Sequence, residues 1–189
     1  MKHTLFFIVF CIALSWISCK SKKEEKSEGV FPALSYIKSQ VAHVDTSIYQ
    51  ITKLTSRDSA GWDTSFIKRE DFRSYAKDFL DLPDIADKKY ADNFNESKFF
   101  DASLNQAVFT YSPKDKNNDI QRQEVTIEPA GENGKDKVKN IYIERIISSK
   151  DSIVNKKMLW MVDQSFQVTT IIQKSGQPDS TSTMKLTWE

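Results

Sequence analysis

From Pro32 onward the apolar positions first recur at helical spacing. Leu34, Ile37, Val41 and Val44 fall on one face of a 3.6-residue helix. Pro32 suits the start of that helix, because its fixed φ is already helical and its missing N–H has no partner to lose there. Asp45-Thr46-Ser47 breaks the run. Residues 48–55 are rich in β-branched side chains and read as a strand, 57–61 as a turn, and 62–67 as the returning strand. A second helix is predicted from Arg69, where Phe72, Tyr75, Ala76, Phe79 and Leu80 recur at i, i+3, i+4, i+7 and i+8. Glu70 and Asp71 favour its positive start. Pro83 ends it, since a residue before proline avoids the α region. Residues 84–103 carry no clear period.

The pattern then turns to strands, near 106–112, 120–128, 138–148, 152–162, 166–174 and 181–188. The gaps carry turn chemistry: Lys116-Asn117-Asn118, Glu132-Asn133-Gly134, Ser149-Lys150-Asp151, Asp163-Gln164 and Gly176-Gln177-Pro178. Consecutive strands with short gaps pair as antiparallel neighbours. The expected fold class is α+β: an antiparallel β-meander of about six strands, with an additional hairpin and two helices packed on one face.

The central strands are apolar on both sides. Met158, Trp160 and Val162 point one way, Leu159 and Met161 the other; Ile141, Ile143 and Ile147 oppose Tyr142 and Ile146. A six-strand sheet is about 29 Å wide, whereas two helices of about 10 Å each cover only one of its faces. The second face must curl on itself, be covered by residues 84–103 and the hairpin, or bind something.

Composition narrows the class. The 189 residues are 39% hydrophobic and 28% charged, with 2 Cys, 5 Gly and 5 Pro, which excludes collagen, a disulfide scaffold, a polytopic membrane protein and wholesale disorder. The formal net charge is +1, and Lys2 is the one charged side chain in residues 1–18, so the remainder sums to zero. Such a chain has no electrostatic claim on nucleic acid.

Lys2 and His3 head a nearly unbroken apolar run over residues 4–18. As a helix it reaches about 22 Å, short of the roughly 30 Å hydrocarbon core, so it reads as the apolar part of a secretory signal peptide. The run ends in Trp16-Ile17-Ser18-Cys19. A small residue just before Cys resembles the lipobox of bacterial lipoproteins, with Trp16 standing where an aliphatic residue is usual. The resemblance implies cleavage before Cys19, diacylation of its thiol and acylation of the new amino terminus. Several acyl chains anchor stably where one does not, at about 0.8 kcal/mol per buried methylene. Cys11 would leave with the signal, so the folded part keeps no thiol chemistry.

Residues 20–29 are polar throughout, without an aromatic or β-branched side chain, and cannot bury enough surface to order themselves. Lys23-Glu24-Glu25, close behind the lipidated Cys, is similar to the surface-export signal of Bacteroidota lipoproteins, which implies display outside the cell. A generic linker would leave the domain on the periplasmic side. The expected organisation is a signal peptide over 1–18, a lipidated Cys and disordered tether over 19–29, and a single α+β domain over 30–189. The expected location is the outer membrane, held through the lipid anchor, with an envelope protein as the partner to be sought.

Tests for chemistry are mostly negative. Apart from His3 the chain has one histidine, His43, at the end of the first predicted helix, where the dipole favours it without any catalytic role. No nucleophile elbow, dinucleotide fingerprint or P-loop occurs, and no cofactor is implied. His and Cys are too few for a metal cluster. Asp115-x-Asn117-x-Asp119 opens like a calcium loop, but Ile120 takes the glycine position and Thr126 the bidentate one, so a polar turn is expected. Asp78, Asp81, Asp84 and Asp87 recur every three residues and read as a solvated acidic edge.

Two residue types remain as site candidates, tryptophan and serine. Trp160 and Trp188 alternate in phase with core residues, whereas Trp62, at the hairpin edge, is the tryptophan placed to contact a ligand. Asp58-Ser59-Ala60, Asp151-Ser152-Ile153 and Asp179-Ser180-Thr181 resemble the short O-glycosylation motif of Bacteroidota, which implies sugars on Ser59, Ser152 or Ser180. Asp and Ser also favour turns through bonds to their own backbone, which accounts for the same residues without sugar. The function expected is that of a lipid-anchored, non-enzymatic accessory protein binding a partner or ligand through the sheet face or turn tips. The rival expectation is a small hydrolase of the carboxylate-pair glycosidase type working in an open sheet cleft.

Overall fold

Pro32 caps the first helix, α1 (Ala33–Thr46), and Ser47 closes it by donating from both its N–H and its hydroxyl to the Val44 carbonyl. The computed structural model describes residues 29–58, 60–130 and 134–188. Helix α1 buries Ala33, Leu34, Ile37, Val41 and Val44, the stripe expected from their spacing. Strands β1 (Ile51–Arg57) and β2 (Asp63–Ile67) form the hairpin. The second predicted helix is two short ones, α2 (Arg69–Tyr75) and α3 (Lys77–Leu80), because Ala76 between them leaves helical geometry at φ −79°, ψ 1°. Phe72, Ala76 and Phe79 are nevertheless all fully buried, so the break keeps the apolar stripe aimed at the sheet. A single further turn, α4 (Lys88–Ala91), precedes the remaining strands.

Those strands are β3 (Phe94–Asp101), β4 (Gln106–Pro113), β5 (Ile120–Glu128), β6 (Lys137–Ser148), β7 (Ser152–Met161), β8 (Ser165–Lys174) and β9 (Ser180–Trp188). They make one antiparallel sheet in the order β2-β1-β9-β8-β7-β6-β5-β4-β3. This corrects the expectation in two respects. The meander has seven strands, because β3 forms within the stretch that shows no period. The hairpin is no separate piece, because β1 pairs with β9 and extends the same sheet to nine strands. The described part is therefore mostly β, with short helices on one side, and α+β holds only coarsely. Strand β3 escapes sequence reading because it is an edge: only Phe94 is buried, and the adjacent Phe99 and Phe100 break the alternation.

The register sorts the two faces. Val125, Ile141, Trp160, Phe166 and Leu186 lie opposite one another across five strands on the face under the helices. Trp160 stacks on Phe166 at 5.2 Å between ring centroids, and Phe79 meets the Trp160 ring edge-on at 5.3 Å. Phe72 does the same with Trp188 at 5.1 Å. Edge-to-face and offset contacts of this kind suit the aromatic quadrupole and fill the core. On the other face Leu54, Lys185, Gln167, Leu159 and Tyr142 form the equivalent row, and each keeps contact with solvent. Residues 84–103 do not cover that face, because Ile85 and Phe94 join the core on the helix side. Antiparallel order places the β1–β2, β4–β5, β6–β7 and β8–β9 turns at one end of the sheet, and the β3–β4, β5–β6 and β7–β8 turns at the other.

Candidate functional site

The end of the sheet with four turns gathers the candidates that the chain keeps far apart. Asp58 adopts φ +45°, a left-handed conformation that Asp tolerates better than most residues. Its carboxylate accepts from the Thr181 N–H at 2.6 Å, and its own N–H donates to the Thr181 carbonyl at 2.9 Å. The β1–β2 turn is thereby fastened to the start of β9, beside Ser180. In the β8–β9 turn Gly176 supplies the positive φ, at +73°, and the amide of Gln173 donates to Asp179 at 2.9 Å. The Ser175 N–H reaches the Asp151 carbonyl at 3.5 Å, which joins this turn to the β6–β7 turn. There the hydroxyls of Ser149 and Ser152 lie 2.8 Å apart.

Of the three serines, Ser180 is exposed and Ser152 half-buried with its hydroxyl engaged. Ser59 lies outside the described residues, as do Cys11, Cys19 and Lys23-Glu24-Glu25. Trp62 stands just ahead of β2 in the same hairpin turn and is 53% exposed.

Between this hairpin and α3 lies an open cleft of about 570 Å³. Val168, Thr170, Ser182 and Met184 of the sheet line it, together with Asp63 of β2 and Asp78 of α3. Hydroxyls and carboxylates in a partly apolar lining can hydrogen-bond a polar ligand. They do not make a free acid and base pair, because Asp78 is ion-paired with Lys156 of β7. A general acid on a carboxyl also needs its proton held tightly. Away from the cleft, at the β3–β4 turn, hydrogen bonds from the Ser103 hydroxyl, the Leu104 N–H and the Ser103 N–H hold Asp101 below the usual carboxylate range.

The remaining chemical candidates resolve into structural roles. His43 is exposed in the last turn of α1, its ring edge toward Tyr49 at 6.1 Å. The segment Asp115 to Asp119 is a turn: Asp115 accepts from the Asn117 N–H at 2.9 Å, and Asp119 pairs with Arg145 at 2.9 Å. The four spaced aspartates diverge. Asp84 is buried and accepts from the Ser35 hydroxyl at 2.9 Å, Asp81 faces Lys77 at 3.9 Å, and Asp78 turns to the sheet. Among the described residues no three His, Cys, Asp or Glu side chains gather to hold a metal ion.

The structure adds groups that sequence reasoning misses. On the face that none of the described helices covers, Glu144 accepts from Asn155 at 3.1 Å, and Glu124 from Thr110 at 2.9 Å. Burial, with Glu144 nearby, raises the Tyr142 phenol above its ordinary value. Cross-strand register created this belt, and no local motif marks it. At the other end of the sheet Phe99, Phe100 and Leu104 stand exposed on the β3–β4 hairpin; the doubled Phe was the sequence signal available for them. The chain matches no protein-family model, no curated protein and no solved structure.

Proposed function

We propose that this is a lipid-anchored, non-enzymatic accessory protein of the outer membrane, held through Cys19, that binds an envelope protein or ligand through the uncovered sheet face or the turn tips. One observation carries the reading. The helices occupy one face, while Leu54, Tyr142, Leu159 and Ile171 on the other remain in contact with solvent among Lys185, Lys157, Glu144 and Arg122. A contiguous apolar patch with a polar rim marks an interaction surface. Among the described residues no helix is long and apolar enough to cross a membrane, so these residues supply no helical span of their own. The hydrolase reading needs a free carboxylate pair in an open cleft; of the two aspartates lining the cleft, Asp78 is paired with Lys156, which takes support from it.

A photo-crosslinking residue at Leu159 tests the surface in living cells. A reproducible adduct from Leu159, absent when the same group replaces Ser39 on the exposed side of α1, is expected. Adducts from Leu159, Trp62 and Ser180 no stronger than those from Ser39 would overturn the reading. Palmitate incorporation that is lost with Cys19→Ala tests the anchor separately.

A further inference from the structure

We infer that the tip of the β3–β4 hairpin is a second membrane contact, lowering Phe99, Phe100 and Leu104 into the headgroup layer of the bilayer that holds the anchor. The inference rests on the lipid anchor at Cys19 and goes beyond it. The three side chains are 66%, 53% and 62% exposed, within six residues of one another. Large apolar groups clustered this way at a turn are costly in water and call for an occupant.

The geometry favours lipid over a protein. Phe99 and Phe100 are consecutive in a strand and so project from opposite faces of the sheet, with Leu104 in the turn beyond them. A folded partner covers one face of an edge hairpin. A fluid layer surrounds the tip on every side and satisfies both phenylalanines together. Asp101 lies within the tip, and its carboxylate is already satisfied by the Ser103 hydroxyl and the Ser103 and Leu104 N–H groups. Behind it Lys98 pairs with Glu96 at 3.5 Å. These charges set the depth at the headgroups, the level at which interfacial segments bury their apolar side chains.

The tether emerges on the same hairpin. Gly29 shares a hollow with Glu96 of β3, Phe109 and Tyr111 of β4, and Ile127 of β5. Phe109 is three residues from Gln106, where β4 leaves the tip, or about 10 Å along the strand. Residues 20–29, fully extended, span at most about 35 Å. A bilayer holding Cys19 therefore lies within reach of the tip without any rearrangement of the domain. Ser180, Ser152 and Trp62 stand at the opposite end of the strands.

The test uses the processed, lipidated chain in vesicles of phosphatidylethanolamine and phosphatidylglycerol. An environment-sensitive fluorophore is attached at Leu104→Cys and, in a second sample, at Ser180→Cys. The expected result is a blue shift at position 104 with quenching by lipids brominated near the headgroup, and neither at 180. Replacing Phe99 and Phe100 by Ser should reduce that shift. Emission at 104 indistinguishable from that at 180 overturns the proposal. So does a shift that appears without lipid and grows with protein concentration, which would mean that two copies pair along β3. Palmitate incorporation measured on the same sample separates the two ideas: acylated chain with a water-exposed tip sinks the contact alone, and unacylated chain with a buried tip sinks the anchor alone.

Discussion

The phenol oxygen of Tyr111 in β4 accepts a hydrogen bond from the backbone N–H of Phe31 at 3.1 Å, across 80 residues of sequence. It ties the approach to α1 to the sheet and so fixes where the chain enters the first helix. Tyr111 is buried, and burial above all, with Glu96 beside it, pushes its phenol up to about 12. Tyr111→Phe removes the acceptor and should cost about 1 kcal/mol in urea unfolding. The pH dependence has a definite sign. The folded state holds the phenolic proton more tightly than the unfolded state, whose phenol titrates at its ordinary value of 10.0. The contribution is therefore complete below pH 10 and lost as pH rises through about 12. The Tyr111→Phe protein should lack that part of the alkaline loss.

The two faces of the sheet should respond differently to truncation. Phe72 is fully buried against Phe166 at 5.7 Å and Trp188 at 5.1 Å, and Phe72→Ala should cost about 3–5 kcal/mol through lost transfer energy and the cavity left behind. Phe66, on the uncovered face of β2, is 70% exposed, and Phe66→Ala should stay within about 0.5 kcal/mol of the parent. Urea midpoints of the two variants check this. A large loss at Phe66 would mean that the second face is packed against something within the chain.

These contrasts show what local sequence can and cannot carry. The stripe of α1 was legible because its side chains all answer to one buried surface, and β5 was found at the bounds expected, Ile120–Glu128. Strand β3 was not, because an edge strand with one buried side chain need not alternate. The break at Ala76 was also hidden, since the stripe from Phe72 to Phe79 continues through it. The candidate site was legible only as fragments. Asp58, Ser152 and Ser180 belong to one motif repeated in separate turns, whereas the sharing of one end by these three residues depends on β1 pairing with β9, a contact between opposite ends of the domain.

The ion pair between Lys156 of β7 and Asp78 of α3 joins the second layer to the sheet at the wall of the cleft. The two side chains are 21% and 34% exposed, so solvent screens part of the attraction. Asp78→Asn should therefore cost about 1 kcal/mol, and the cost should shrink as salt is added. Double-mutant cycles with Lys156→Met, run in urea at low and high salt, measure the coupling. A coupling energy near zero at low salt would mean that apolar packing alone holds α3 in place.

Asp58 separates the two readings of the Asp-Ser turns. As a turn residue it needs a positive φ and an oxygen that accepts from the Thr181 N–H. Asparagine supplies both, since it tolerates the left-handed region and keeps a carbonyl at the same place. Asp58→Asn should accordingly leave stability within about 0.5 kcal/mol of the parent. As part of a glycosylation motif, however, the residue must be Asp. The native protein is expected to show hexose increments in its intact mass, and Asp58→Asn to lose the share carried at Ser59 while the shares at Ser152 and Ser180 persist. Native protein of unmodified mass would leave turn geometry as the whole reason for Asp at this position. Loss of stability in Asp58→Asn without any change of mass would point the same way, with charge at the turn mattering beyond its hydrogen bond.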